Sequence, residues 1–251
     1  MKTSSSAESV LHAVVTGVSR GLGEQLALAL LRRGFAVTGV GRANSPSLSG
    51  RRYRFVACDL AATDTIEGSL AHVFEDIARS RPESVCLVNN AAVASPIAVL
   101  GRLDAQEFAA SVAVNLVAPV LVANMFCRAF KDFDGELRVI NVSSGAAERP
   151  LPGAGAYCIA KSGVEMLTRV LAAEHKEHGF SAITLRPGII DTGMQTFIRT
   201  HPRSEFPSAD LFEGFWKGGQ LVGAETVAEK IVRRLIVADV EHGRTYNYRE
   251  L

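Results

Sequence analysis

Six short apolar runs rich in Val, Ile and Leu punctuate the chain: LHAVVT (11–16), FAVTGV (35–40), YRFVAC (53–58), SVCLVN (84–89), LRVINV (137–142) and FSAITL (180–185). Runs of this length without polar alternation suit strands buried on both faces. Between them lie helix-length segments at 22–33, 64–80, 104–131, 156–178 and 224–239, in which apolar residues recur three and four apart. Strand and helix alternating along the whole chain predict an α/β fold, a doubly wound parallel sheet with helices on both faces. No internal repeat and no Pro/Gly/Ser-rich linker divides it. A single domain over 1–251 is therefore expected, with 193–222 inserted between the sixth strand and the last helix.

Composition narrows the function classes. The 251 residues carry 27 Lys+Arg against 26 Asp+Glu, a formal charge of +1, with 47% hydrophobic content. Disorder is excluded, and near-neutrality argues against nucleic-acid or anionic membrane partners, which call for a cationic face. Cys58, Cys86, Cys127 and Cys158 form no CxxC pair and read as thiols in a reducing compartment. The first ten residues lack the apolar run of a signal peptide, so a cytoplasmic location is expected. Residues 108–127 carry no formal charge and approach bilayer-spanning length, but Ser111, Asn115, Pro119 and Asn124 interrupt them. A core or subunit-interface helix is the reading there.

Chemistry enters directly after the first strand, at Thr16-Gly17-Val18-Ser19-Arg20-Gly21-Leu22-Gly23. Glycines between a strand and a helix let the backbone turn sharply and approach a pyrophosphate at the helix N-terminus. This TGxxxGxG spacing resembles the short-chain dehydrogenase/reductase family, and further motifs agree in order. Asn89-Asn90-Ala91-Ala92 resembles the family's NNAG with Ala92 in place of glycine, and Asn115 lies in the uncharged helix. Ser143-Ser144 follow the fifth strand, Tyr157-Cys158-Ile159-Ala160-Lys161 is YxxxK, and Pro187-Gly188 with Thr192 follow the sixth strand.

The resemblance implies a Rossmann-type fold binding a nicotinamide dinucleotide through Gly17, Ser19, Arg20, Gly21, Leu22, Gly23, Arg42, Asp59, Leu60, Asn90, Ala91, Ala92, Tyr157, Lys161, Pro187, Gly188, Ile190 and Thr192. Charge bears on which dinucleotide. An NAD site usually places a carboxylate about 20 residues beyond the glycines, whereas a 2′-phosphate calls for Arg. Here the second strand runs into Gly41-Arg42, and residues 25–58 hold six arginines and no acid. Arg20 and Arg42 are placed to meet a 2′-phosphate, so NADP(H) is expected. Arg32, Arg33, Arg51 and Arg52 read as solvated surface charges.

Tyr157 and Lys161 are four apart and share a helix face. A tyrosine with a pKa of about 10 is a poor acid/base near neutrality, and an ammonium beside it is expected to lower that value. The family resemblance implies that Tyr157 donates a proton to a substrate carbonyl oxygen, that Ser144 hydrogen-bonds the same oxygen, and that Lys161 biases Tyr157 and holds the nicotinamide ribose. It also implies that Asn115 supports a proton-relaying water. Ser143 is expected to be structural, and no metal site is expected: His175 and His178 form an HxxH without a third ligand. Cys158 points away from Tyr157 on the helix and is not read as a nucleophile.

The segment 193–217 holds Phe197, Phe206, Phe212, Phe215 and Trp216, against 7% aromatic residues overall. It is either a lid over an apolar or aromatic substrate or ordinary packing onto the domain or a second subunit. The runs around Ser144, Tyr157 and Asp191-Thr192-Gly193 resemble the sepiapterin reductase/benzil reductase branch, whose members reduce one carbonyl of a vicinal dicarbonyl with NADPH. The expected activity is thus NADPH-dependent reduction of a small-molecule ketone by a homo-oligomer, dimer or tetramer. The alternatives are an alcohol or sugar dehydrogenase, a 3-oxoacyl reductase, which the chain's ending without a VDGG-type motif disfavours, and an NADP(H)-binding sensor without turnover.

Overall fold

The structure, a computed structural model, describes residues 11–251. The expectation about the first ten residues lies outside them. The chain runs β1 (Leu11–Thr16), α1 (Gly21–Arg32), β2 (Ala36–Gly41), β3 (Tyr53–Ala57), α2 (Ile66–Arg79) and β4 (Ser84–Asn89). Then come α3 (Ala105–Val112), a π-helical turn (Ala113–Val117), α4 (Ala118–Ala129), β5 (Glu136–Val142), α5 (Gly155–Glu174) and β6 (Phe180–Arg186). The remainder forms β7 (Ile190–Asp191), α6 (Gly193–Arg199), α7 (Ala209–Lys217), β8 (Val222–Gly223), α8 (Ala224–Ile231), a second π-helical turn (Val232–Val237) and β9 (Thr245–Asn247).

Seven strands pair in parallel in the order β3-β2-β1-β4-β5-β6-β9. The order reverses between β1 and β4, which opens a crevice at the carboxyl ends of the strands, the usual ligand position in such sheets. Apolar side chains cover both faces. Leu26 and Leu30 of α1 pack with Val227 and Ile231 of α8 on one side. Phe74 of α2 packs with Val122 and Phe126 of α4 on the other. This is the predicted single-domain, doubly wound sheet.

Three features depart from the expected pattern. β9 was not foreshadowed: Thr245-Tyr246-Asn247 is short and only half-buried, so it carries no apolar run. The expected 104–131 helix is one continuous run split by the π-helical turn around Asn115. By length and composition Ala105–Ala129 could cross a membrane, but Val122, Met125 and Phe126 are buried within the domain. Third, the inserted segment is tied at its base, because β7 and β8 pair through Ile190 with Val222 and Asp191 with Gly223.

Candidate active site

The crevice begins at the end of β1. The Thr16 hydroxyl accepts hydrogen bonds from the backbone N–H groups of Asn90 (2.9 Å) and Ala91 (3.0 Å), tying the loop after β4 to the glycine loop. Asn90 Nδ2 donates to the Thr16 carbonyl at 2.9 Å. Two glycines are required by close approach. A Cβ on Gly17 would lie 2.8 Å from Ala91 Cα at a φ of +77°, and one on Gly23 would lie 2.2 Å from the Gly17 carbonyl oxygen. At the head of α1 the Arg20 side chain makes no capping bond, so the first-turn N–H groups and the positive end of the helix face the crevice. Glycines that admit the backbone and an uncapped helix N-terminus fit a pyrophosphate.

Leu22 and Leu60 are buried, Leu22 in the α1 side of the core and Leu60 beside α2. Asp59 is exposed at the end of β3, where its carboxylate accepts the Ala61 N–H at 3.0 Å. Ser19, Arg20 and Arg42 are exposed, and among the described residues neither arginine makes a hydrogen bond or ion pair. Among the described residues exposed Arg51 is likewise without such a contact, whereas three others are paired. Arg32 and Arg33 bind Glu229 (2.6 and 3.5 Å), and Arg54 lies 3.6 Å from Asp76. One acid lies just outside the acid-free stretch: Glu24 accepts a hydrogen bond from Ser45 at the edge of this region.

Farther along, Ser144, Tyr157 and Lys161 come together where β5 ends against α5. Ser144 is extended (φ −158°), and its hydroxyl caps the short 3₁₀ turn by accepting the Ala146 N–H at 3.2 Å. Burial pushes the Tyr157 hydroxyl up to about 12, with a hydrogen bond to Ser144 pulling the other way. Burial also draws Lys161 down to about 8. Lys161 Nζ donates to the Val142 carbonyl at 2.7 Å and lies 5.6 Å from the Tyr157 ring centre. The expected ammonium-driven lowering of Tyr157 is corrected: burial is the largest influence and raises it, the Ser144 bond lowers it, and Lys161 is not among the groups that shift it.

Asn115 is fully buried in the π-helical turn. Its Oδ1 accepts the Val93 N–H at 2.9 Å, and its Nδ2 donates to the Val93 carbonyl at 2.9 Å and to Ser111 Oγ at 3.1 Å. Its side-chain amide thus pins the loop after Asn90-Ala91-Ala92. Ser143 donates to Glu165 Oε1 at 2.8 Å, in line with a structural role.

Sequence reasoning missed Glu165, Arg186 and Glu148. Arg186 Nε and Nη2 bind the two Glu165 oxygens at 2.8 and 2.9 Å, and its Nη1 binds Glu148 at 2.9 Å. This network joins the Ser144 loop, α5 and the start of Pro187-Gly188. A signal was present in the sequence: Glu165 lies four beyond Lys161, and Arg186 immediately precedes Pro187.

Ser144 and Tyr157 open onto a cavity of about 130 Å³, also lined by Pro187, Gly188, Ile190 and Thr192. Its remaining wall is mostly apolar, with Ile97 and Leu151 facing Met194, Ile198, Phe206 and Phe212 of the inserted segment. The aromatic residues divide. Phe206 is fully buried and Phe212 packs on it at 5.4 Å, whereas Phe197 and Trp216 are 40% and 55% exposed. Elsewhere, His175 pairs with Glu177 at 2.9 Å and stacks on Phe180, and Cys158 Sγ faces the Arg149 carbonyl at 3.9 Å. Among the described residues no group of three His, Cys, Asp or Glu could hold a metal.

A neutral phenol and a hydroxyl side by side at an apolar cavity can donate to a carbonyl oxygen, and the neighbouring crevice can hold a dinucleotide. Comparison with known proteins points the same way. Residues 11–203 match the family model described as short chain dehydrogenase. The chain is 32% identical over 233 residues to a benzil reductase ((S)-benzoin forming) of Bacillus cereus, covering 90% of this chain and 93% of that protein. It is 30% identical over 239 residues to the enzyme of the same name from Bacillus subtilis, covering 94% and 98%. The crystal structure of the KRED1-Pglu enzyme superposes with a TM-score of 0.78 at 27% identity, over 94% of this chain and 99% of that one.

Proposed function

Because the chain belongs to the short-chain dehydrogenase family, oxidoreductases that interconvert alcohols and carbonyls with a nicotinamide cofactor, we propose that it is an NADPH-dependent reductase of one carbonyl of a vicinal dicarbonyl. The observation that carries this reading is the Tyr157–Ser144 hydroxyl pair on an apolar cavity beside the glycine-loop crevice. When bound, the dinucleotide supplies hydride to the carbonyl carbon and leaves oxidised by two electrons. Tyr157 gives its proton to the carbonyl oxygen, so the ketone becomes an alcohol. Ser144 donates a hydrogen bond to that oxygen as negative charge develops. Lys161, anchored on the Val142 carbonyl, stands beside Tyr157 to hold the ribose and return a proton. Asn115 fixes the loop through Val93.

Arg20 and Arg42 are the residues we assign to the 2′-phosphate, Asp59 to the adenine edge and the glycine loop to the pyrophosphate. The segment 193–222 serves as a lid through Phe206 and Phe212. A homo-oligomer forms through α4 and α5, which leave Val120, Ile159, Met166 and Val170 exposed. The names of the Bacillus relatives support benzil as the first substrate to test. Oxidation of NADPH, and far less of NADH, on addition of benzil, with benzoin as product, is the expected result. An enzyme that leaves benzil and a panel of other diketones untouched with either cofactor contradicts the proposal.

A further inference from the structure

Besides Ser144 and Tyr157, the polar side chains on the cavity wall are those of Ser143, Thr192 and Gln195. Ser143 is committed to Glu165 at 2.8 Å. Thr192 turns its methyl group toward Gly21, 3.5 Å from where a Cβ there would sit, and so faces the glycine loop. Gln195 remains. Its Oε1 is buried without a hydrogen-bond partner, and among the described residues its amide nitrogen makes no hydrogen bond either. Buried polar groups are nearly always paired, so an amide left unpaired on the wall of a pocket is placed for something that enters it.

Arg199, four positions on and therefore on the same face of α6, carries a second buried unpartnered atom, Nη1. Its guanidinium is held over the Trp216 ring at 5.2 Å. The two atoms are not hydrogen-bonded to each other, so neither end of the Gln195 amide is used within the protein. With Oε1 buried, the side-chain nitrogen is the accessible end of the Gln195 amide, a donor at the cavity wall. A vicinal dicarbonyl brings two oxygens on adjacent carbons. The hydroxyls of Ser144 and Tyr157 serve the one being reduced, while the aliphatic wall offers nothing to the other.

We infer that Gln195 determines specificity for the second oxygen, its Nε2 donating to the carbonyl next to the one reduced. This rests on the function proposed above and adds the group that distinguishes a dicarbonyl from a simple ketone. A site built to hydrogen-bond a substrate group selects against the analogue that lacks it.

The test compares benzil with benzyl phenyl ketone, which keeps both rings and lacks the second oxygen. kcat/KM with NADPH is measured for wild type, Gln195→Leu and Gln195→Glu, with the monoketone read as a competitive inhibitor if its turnover is slow. Both variants are expected to lose about tenfold on benzil, the scale of one hydrogen bond, and to change less than about twofold toward the monoketone. Gln195→Glu keeps the side-chain volume while removing the donor, so it decides the matter should the leucine variant fold poorly. An unchanged ratio between the two compounds overturns the assignment while leaving the reductase reading intact. Failure of the wild type to reduce benzil overturns both.

Discussion

Glu165 grips Arg186 with both carboxylate oxygens, at 2.8 and 2.9 Å, and uses one of the same oxygens to receive the Ser143 hydroxyl. Both side chains are largely buried, 14% and 16% exposed. The pair therefore links the strand end before Ser144 to the turn before Pro187-Gly188. Glu165→Ala leaves Arg186 with only Glu148 and should lower stability by about 3 kcal/mol, as expected for one partner removed from an enclosed pair. Urea unfolding of Glu165→Ala, Arg186→Ala and the double variant measures the coupling. Additive losses would contradict a direct link.

Gly23→Ala introduces a Cβ 2.2 Å from the Gly17 carbonyl oxygen and 2.5 Å from Asn90 Nδ2. Backbone cannot yield cheaply there, so NADPH affinity should fall at least about tenfold in a fluorescence titration. Gly68→Ala is the control: nothing lies within 4 Å of its Cβ, and in the first turn of α2 it should stabilise by less than about 1 kcal/mol.

Arg20→Ala/Arg42→Ala should weaken NADPH by more than about tenfold and leave NADH within about twofold, because a charge-assisted contact to the extra phosphate is worth 1.5–3 kcal/mol in general terms, roughly. Equal losses for both cofactors in parallel titrations would remove the arginines from the 2′-phosphate.

His12 accounts for an acid-side loss of stability. It bonds Thr38 Oγ1 at 3.0 Å inside the sheet, and burial, aided by Arg54, draws its pKa down to about 4. The unfolded chain takes up this proton near pH 6.5 and the folded chain only near pH 4. Unfolded protein thus binds more protons in that window, and stability falls as pH drops through it, by at most about 3 kcal/mol. His12→Gln, which keeps a hydrogen-bonding side chain but does not titrate, should flatten the melting temperature between pH 4 and 6.5. An identical pH slope in the variant would assign the loss to other groups.

The sheet was legible because β1, β2, β4, β5 and β6 are largely buried and announce themselves as apolar runs, and the half-exposed edge strand β3 still carries Phe55 and Val56 in such a run. Lys161 and Tyr157 were legible through helix spacing and the family motifs. β9 escaped because an edge strand such as Thr245–Asn247 is polar and short. The direction of the Tyr157 shift escaped for another reason: spacing shows that an ammonium is near, but desolvation depends on everything packed around the hydroxyl. The Glu165–Arg186 pair lay 21 residues apart on two elements, and only the fold brings it together. The division of the inserted aromatics, Phe206 inward and Trp216 outward, likewise required the turn between α6 and α7.

The proposed reductase uses Tyr157 as its proton donor in carbonyl reduction. Its hydroxyl is pushed up to about 12, so the donor form is full at every pH from 6 to 8. Reductive kcat/KM on benzil with NADPH should be flat from pH 6 to 7, below the value of about 8 to which burial draws Lys161, while the reverse oxidation of benzoin, which needs the phenolate, should climb with pH. Tyr157→Phe should bind NADPH as wild type does and lose at least about 100-fold in reductive kcat. A Tyr157→Phe enzyme that reduces benzil within about threefold of the wild-type rate contradicts the account, whatever its affinity for the cofactor.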